Sequence, residues 1–292
     1  NGSGVILMLQ RKHKIAGGVI AVLIILGTLA VHVAGNKAAG FVNEMADRQT
    51  VLQGKLQIGH FSASVSGNVV FENVVWTAPD GKKLAEVPEM NVSANLFDIL
   101  KGSFGINSIN SISIEKPQFA VNYTDKDGLD IINYINFSDK DDETPTEFRG
   151  MVEITDGALA LDMNGQKLDF SKVEMQANLK EFPDIKFTLQ GKNGDADLIG
   201  SIDKVYDDVT IGAEVKNLQI TELMKVLPSF GELSITGGVI NGAKLAAGLH
   251  DAQWNLNLDG SLSGVVPEAL QSAFLALKDS YAAQDAALDV AW

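Results

Sequence analysis

Apolar and polar residues alternate along most of the chain that follows residue 53. The clearest runs are residues 69–76 (VVFENVVW), 109–114 (INSISI) and 167–179 (KLDFSKVEMQANL), with shorter runs at 119–123, 151–162, 187–190, 197–202, 209–215, 233–235 and 254–259. Turn residues such as Pro79-Asp80-Gly81 separate the runs. Alternation with a period of two, interrupted by turn residues, is typical of β-strands that have one apolar and one solvated face. The pattern predicts a mainly β fold.

Helical segments are few. Residues 96–102 (LFDILKG) predict one or two turns that end at a glycine, and residues 221–227 predict a short helix that begins at a capping threonine. The clearest helix, residues 267–284, carries one apolar stripe formed by Leu270, Phe274, Leu277 and Tyr281. Such a stripe needs an apolar surface to dock on. We therefore predict either a plug over an apolar sheet face or a connector packed outside the sheet.

One N-terminal stretch is long and apolar enough to cross a membrane. Residues 15–35 (IAGGVIAVLIILGTLAVHVAG) contain a single ionisable side chain, that of His32. At about 1.5 Å per residue, the stretch matches a hydrocarbon core of about 30 Å. A cleaved signal peptide, with an apolar core of about 7–15 residues, is the alternative. We expect an uncleaved transmembrane helix.

Charges on either side of this stretch indicate its orientation. Residues 1–36 contain Arg11, Lys12 and Lys14 and no Asp or Glu, whereas Glu44 and Asp47 follow the stretch. Basic flanks stay in the cytoplasm. We expect a short cytosolic N-terminus at residues 1–14, and the remainder of the chain, with its function, on the other side of the membrane.

Composition excludes several classes of partner and chemistry. The 292 residues carry a net charge of −14 and include no Cys. An acidic chain lacks the basic surface that phosphates require, which argues against a nucleic-acid partner. The absence of Cys excludes disulfides and thiolate chemistry.

Catalytic motifs are also missing from the sequence. His60 and His250 have no HExxH or H-x-E spacing, and neither a G-x-S-x-G elbow nor a P-loop occurs. Residues 125–130 (DKDGLD) resemble a calcium loop but lack the alternating ligands and closing Glu of an EF-hand, so we predict a hairpin turn there. The acidic run at 139–143 predicts a solvated loop. We expect no enzyme activity, no metal and no cofactor.

Weak internal similarity suggests repeated units. Residues 54–58, 150–154 and 231–235 share the pattern G-x-(L/V)-x-I. Such similarity predicts stacked units that cannot close a core alone. Chance matches at strand starts are the alternative. Residues 285–292 look like the start of a further strand, so we expect the chain to continue beyond them.

The order of segments carries a family resemblance. A membrane span is followed by GKLQIG (54–59), ENV (72–74), APDGKKL (78–84), LFDILKG (96–102), INSISIEKPQFAV (109–121) and a D-x-D-G loop (125–128). The patterns G-x-V-x-I-x-D-G (150–157) and L-x-G-x-L-x-G (258–264) come later. This succession, over most of residues 10–265, resembles the N-terminus of AsmA-like proteins, and most closely of TamB-type translocation-and-assembly proteins.

The resemblance implies a fold and a function. Members are anchored in the bacterial inner membrane and cross the periplasm as an elongated, groove-like, antiparallel β-array that moves phospholipid toward the outer membrane. TamB-type members also work with an outer-membrane barrel protein. They are far longer than this chain, so we expect any contact with the barrel to lie in a region absent here.

On this interpretation the chain has seven parts. Residues 1–14 are cytosolic, 15–35 span the membrane and 36–53 form a juxtamembrane segment. Residues 54–149 form a first β-groove unit and 150–266 form further β-groove repeats. The amphipathic helix (267–284) and the start of a further strand (285–292) complete the chain.

Alternation alone does not distinguish an open groove from a closed β-sandwich, because both bury one face of each strand. If the groove is open, the apolar strand positions line it. The candidate lining residues are Val69, Phe71, Val74, Trp76, Ile112, Ile114, Phe119, Val121, Val152, Ile154, Leu159, Leu161, Val173, Met175, Phe187, Leu189, Leu256 and Leu258. We predict a membrane-anchored lipid conduit. The alternative is an envelope assembly scaffold that binds client polypeptide along a sheet edge or aids outer-membrane protein insertion.

Overall fold

Most of the described residues lie in β-strands. The computed structural model describes residues 52–64, 66–95, 97–98, 108–124, 126, 128–135, 148–222, 238–250, 253–263 and 287–290. The strands are β1 Lys55–Ala63, β2 Asn68–Thr77, β3 Lys83–Ala94, β4 Ile109–Glu115, β5 Gln118–Thr124, β6 Gly128–Leu129, β7 Met151–Met163, β8 Gln166–Asn178, β9 Ile185–Asn193, β10 Ala196–Val205, β11 Asp208–Gln219, β12 Val239–His250, β13 Gln253–Ser263 and β14 Ala287–Val290. A short helix, α1 Asp130–Asn133, follows β6. The prediction of a mainly β fold is confirmed.

The chain divides into two compact units after Lys167. The first unit contains β1 to β7 and α1, and the second contains most of β8 and all of β9 to β14. The sequence predicted a division at residue 150, which separates β7 from the earlier strands. In the structure β7 pairs with β4 and β5 of the first unit.

The first unit combines antiparallel and parallel pairs. Strands β1, β2 and β3 form an antiparallel meander. Strands β4 and β5 follow one another in the same direction, antiparallel to β3 on one side and parallel to β7 on the other. In the second unit β8 to β13 pair in sequence order, and β14 pairs in parallel with β13.

The predicted antiparallel pairing is therefore found for most neighbouring strands, but β4 and β5 pair in parallel with β7, and β14 pairs in parallel with β13. Parallel neighbours need a connection of about a dozen residues or more. The chain provides such connections between β5 and β7 and between β13 and β14. Side-chain alternation does not predict parallel pairing, because it indicates which face a side chain occupies and not the direction of the neighbouring strand.

The strands of the first unit shift their alternation by one residue at a common level. In β2, Phe71 and Val74 are both buried, and Asn73 between them has a φ of 55°. In β7, Asp156 has a φ of 54° and is flanked by the buried residues Ile154 and Gly157. Asn and Asp enter this left-handed conformation more readily than other non-glycine residues.

Strand pairing places these shifts side by side. The pairs Ile58↔Val74 and His60↔Glu72 put Gly59 of β1 opposite Asn73, where a Cβ on Gly59 would lie 2.9 Å from the Cβ of Asn73. Lys116, between β4 and β5, has a φ of 50°. Because neighbouring strands gain a residue at the same level, the register continues and the apolar side chains stay on one face. Residues 151–162, predicted as two short runs, are accordingly part of one continuous strand, β7.

The structure describes some of the segments predicted from the sequence and not others. The hairpin turn predicted at residues 125–130 is confirmed, because β5 and β6 pair through Tyr123↔Leu129 and Thr124↔Gly128. The predicted membrane span (15–35) and the predicted amphipathic helix (267–284), with Leu270, Phe274, Leu277 and Tyr281, lie outside the described residues. Within the described part of the chain, we find no helix with the length and apolar character needed to cross a membrane.

Candidate functional site

One face of the second unit is almost entirely apolar. Strand pairing forms a first row of direct neighbours across six strands, from β8 to β13: Met175, Leu189, Gly200, Ala213, Leu245 and Leu258. The next row, two residues along each strand, is Ala177, Phe187, Ile202, Ile211, Ala247 and Leu256. Residues two apart on a strand share a face. We call the face formed by these two rows the apolar face.

Large aliphatic side chains of the apolar face are exposed. Leu189 is 40% exposed, and Ile202 and Leu245 are each 36% exposed. Phe187, Ile211 and Leu258 are partly exposed on neighbouring strands. Soluble proteins seldom expose contiguous apolar patches of large side chains unless the patch binds something. Water therefore reaches the middle of a face whose side chains are hydrocarbon.

The buried core of the second unit lies at one end of this face. Ala196, Leu218, Ile220 and Ile240 form a buried cluster, with Leu198, Val215 and Ala243 packed against it. Ala196 begins β10 and Ile202 lies six residues further along the strand. At about 3.3 Å per residue, the first row, which includes Gly200, lies roughly 13 Å along β10 from Ala196, and the second row lies roughly 20 Å from it. The unit is thus closed at one end of β10 and open toward the other.

The opposite face of the second unit carries paired charges. Lys192 Nζ lies 2.7 Å from Asp197 Oδ1, and Lys216 Nζ lies 2.9 Å from Glu214 Oε1. Lys244 Nζ, on the next strand, lies 3.8 Å from Glu214 Oε2. These side chains alternate along their strands with residues of the apolar face, so the charges lie on one side of the sheet. Ile199, which pairs with Glu214 and is 39% exposed, also lies on the charged side.

Hydrogen bonding governs the ionisation of these groups. The hydrogen bond from Lys216 lowers the pKa of Glu214, and the bond from Lys192 lowers the pKa of Asp197. The hydrogen bond to Glu214 raises the pKa of Lys216. Exposed pairs of this kind contribute little to stability because water and salt screen them. The effect of these ion pairs is to keep this face of the sheet exposed to solvent.

The strands of the first unit alternate in the same way, but the apolar side chains of β2, β3 and β4 are buried. Phe71, Met90 and Ile114 are each 0% exposed, and Val69, Ile112 and Val152 are 0–1% exposed. Trp76 donates its indole Nε1–H to the carbonyl oxygen of Gln53 at 3.0 Å and is itself 2% exposed. The apolar side chains of β2, β3, β4 and the first half of β7 therefore form a buried core.

The structure accordingly separates the eighteen predicted lining residues into two groups. Those that are buried are Val69, Phe71, Val74, Trp76, Ile112, Ile114, Val121, Val152, Ile154 and Met175. Those that remain partly or largely exposed are Phe119, Leu159, Leu161, Val173, Phe187, Leu189, Leu256 and Leu258. Of this second group, the last four together with Val173 belong to the second unit.

Sequence reasoning missed the centre of the apolar face. Ile202, Ile211 and Leu245 were not among the predicted lining residues, although the first two lie in runs predicted as strands. Strand β12 (VINGAKLAAGLH) was not predicted at all, because Ala and Gly occupy both of its faces and weaken the alternation. The pattern that could have identified this strand is the spacing of two between Ala243, Leu245, Ala247 and Leu249.

We find no comparable site among the other concave or charged features of the described residues. A hollow of about 540 Å³ on the solvated face of the first unit is lined by neutral polar residues such as Ser62, Asn91 and Ser113, together with two valines. Among the described residues, no group of three His, Asp or Glu side chains is arranged to hold a metal ion. The apolar face is thus the best candidate.

Comparison of the whole chain with protein-family models, curated protein sequences and solved structures gave no match.

Proposed function

We propose that the chain binds the acyl chains of membrane lipids on the apolar face of the second unit. One observation carries the proposal: Leu189, Ile202 and Leu245 are exposed on a face with no charged side chain in its two rows. The charged residues of the same strands lie on the other side. A partner for this face must therefore be hydrocarbon in character.

The dimensions of the face suit an acyl chain. Six strands at about 4.8 Å spacing are about 24 Å across. One leaflet of a bilayer contributes roughly 15 Å, half of a hydrocarbon core of about 30 Å. An acyl chain in a bilayer is already out of water, so the favourable term is the exposed apolar area of the face that the chain covers, at about 25 cal/mol per Å².

We place this lipid-binding face in a membrane-anchored conduit. In this proposal residues 15–35 anchor the chain in the bacterial inner membrane, and the two units lie in the periplasm. Phospholipid passes toward the outer membrane along the apolar face, and an outer-membrane barrel protein acts as a partner. The resemblance of the segment order to TamB-type proteins supports this placement. No catalytic step, cofactor or nucleic acid takes part.

A pair of neighbouring substitutions tests the binding face. Leu245→Asp places a carboxylate on the apolar face, whereas Ala246→Asp places one on the solvated face of the same strand. Lipid extracted from the purified protein is quantified per mole of folded chain. We expect Leu245→Asp to reduce lipid by more than about tenfold, because an unpaired carboxylate against acyl chains costs several kcal/mol. Ala246→Asp should leave lipid unchanged.

The competing function makes a different prediction. Among the described strands, β1 forms a ladder with β2 alone, so it is an edge strand of the described sheet, the kind of strand to which a client polypeptide adds. If the protein is an assembly scaffold, purified material will contain bound peptide and no lipid, and neither substitution on β12 will alter its content. Equal lipid loss from both variants would likewise contradict the one-faced site.

A further inference from the structure

The sheet of the first unit divides at one end of β3 and β5. These strands form only two paired positions, Ala85↔Phe119 and Glu86↔Gln118. Beyond them β5 stays with β7 as far as Tyr123↔Met163, while β3 stays with β2 as far as Lys83↔Thr77. We call the opening between the two branches the fork. Such an opening interrupts the backbone hydrogen bonding that otherwise seals the core.

A short segment around α1 occupies the fork. We call residues 128–135 the fork segment. At its centre, Asp130 Oδ1 accepts a hydrogen bond from the backbone N–H of Asn122 at 2.8 Å, and Asp130 Oδ2 lies 2.6 Å from Lys82 Nζ. Asn122 belongs to β5, and Lys82 directly precedes β3. A single carboxylate therefore joins the two branches.

The fork segment also supplies apolar side chains to the interior. Ile131 is 6% exposed and Ile135 is 5% exposed. Ile135 forms an isolated bridge with Leu52, and the carbonyl oxygen of Tyr134 accepts a hydrogen bond from Gln53 N–H at 2.7 Å. The carbonyl oxygen of Gln53 in turn accepts the indole N–H of the core residue Trp76. The fork segment thus closes the same interior that the buried strand face forms.

The contacts that hold the fork segment are of a reversible kind. A helix of four residues is not stable alone, and α1 has no side-chain cap at its start. The position of the fork segment therefore depends on Asp130, on the two isoleucines and on the backbone pairing of its two ends with β5 and with residues 52–53. The side chains of Lys82 and Asp130 are 26% and 20% exposed, so water and salt reach the ion pair.

We propose that the fork segment is releasable and that its release admits an acyl chain through the fork into the interior of the first unit. This inference rests on the proposed lipid function. It gives the Lys82–Asp130 pair the role of a latch: while the pair is formed, the first unit is a closed core, and when it breaks, the first unit offers the same kind of apolar face as the second.

Cysteine labelling measures release of the fork segment without any lipid. The chain has no Cys, so the substitution Val121→Cys, at a position 7% exposed on β5, introduces a single thiol. Lys82→Met removes the latch charge and keeps an apolar stem. Lys83→Met is the matched control, because Lys83 pairs with Glu86 of its own strand at 2.6 Å. We expect a maleimide to react at least tenfold faster when Lys82→Met is added and at the parent rate when Lys83→Met is added.

A second thiol separates local release from general loosening. Met90 is 0% exposed and pairs with Ile114, several residues along β3 from the fork. The thiol of a Met90→Cys protein should label at the same slow rate with and without Lys82→Met. Equal acceleration of the Val121→Cys and Met90→Cys proteins, or no acceleration of the Val121→Cys protein, would overturn the release of the fork segment.

Photoactivatable phosphatidylcholine in vesicles then tests admission of lipid. With Lys82→Met, we expect crosslinks to peptides of β3 and β5 to increase relative to the parent and to Lys83→Met, while crosslinks to β12 stay constant. Crosslinks confined to the second unit in every variant would overturn this inference and leave the proposed function standing. The absence of crosslinks from both units would overturn both.

Discussion

Truncating one buried and one exposed apolar residue should give very different losses of stability. Phe71 is 0% exposed, lies 5.5 Å from Phe61 between ring centroids, and pairs with the equally buried Met90. Replacing a buried Phe by Ala costs about 3–5 kcal/mol, because transfer energy and a cavity add. Leu245 is 36% exposed. A fully buried Leu contributes about 1.5–3 kcal/mol, so Leu245→Ala should cost roughly 1–2 kcal/mol, with no enclosed cavity.

Urea unfolding followed by tryptophan fluorescence measures both losses. The chain has three Trp residues, so Trp76 can report on the first unit and Trp254 of β13 on the second when the others are replaced by Phe. With an m-value of about 2 kcal/mol per molar urea, Phe71→Ala should lower the midpoint of the first unit by about 2 M. Leu245→Ala should lower the midpoint of the second by less than about 1 M.

An equal loss of unfolding free energy from Leu245→Ala and Phe71→Ala would contradict an exposed apolar face on the second unit. That result would mean that the face of the second unit is covered as tightly as a core, as in a closed sandwich. A change in m-value without a change in midpoint would point instead to an altered denatured state.

Three further predictions concern other parts of the chain. A reporter that is active only outside the cytosol, fused after Trp292, should be active, and activity of a cytosolic reporter instead would contradict the predicted orientation. Asn73→Val should lower the free energy of unfolding by about 1–2 kcal/mol, because Asn73 has a φ of 55°, whereas Asn73→Gly should be tolerated; equal losses in thermal melts would show that the conformation carries no strain. Lys216→Met should raise the pKa of Glu214 in an NMR titration, because the hydrogen bond from Lys216 lowers it; an unchanged pKa would show that the pair is not formed in solution.

The strand content and the faces could be read from the sequence because side-chain alternation is a local property. Residues 167–179 were predicted as a strand and form most of β8. The break between Phe71 and Val74 was visible in the sequence, but its cause was not. The left-handed conformation of Asn73 is explained only by its neighbours Gly59 and Pro88, which the strand register brings to the same level.

The exposure of each face could not be predicted, because it depends on what covers the strand. Ile114 and Leu189 occupy equivalent positions in alternating runs, yet Ile114 is 0% exposed and Leu189 is 40% exposed. The fork segment was equally invisible: residues 125–130 were correctly predicted as a turn, but nothing in the local pattern shows that Asp130 reaches both Asn122 and Lys82. Long-range pairing, and not local preference, produces both features.

Photocrosslinking along a single strand shows which face of β12 contacts lipid. A photoreactive amino acid is placed in turn at each residue from 243 to 249 of β12, and lipid attached to the protein is measured after irradiation in membranes. We expect strong lipid crosslinks at Leu245, Ala247 and Leu249. We expect weak ones at Lys244, Ala246 and Gly248, on the other face, and at Ala243, which packs against the buried cluster. Uniform crosslinking along the strand, or crosslinking to polypeptide alone, would contradict a lipid-binding face.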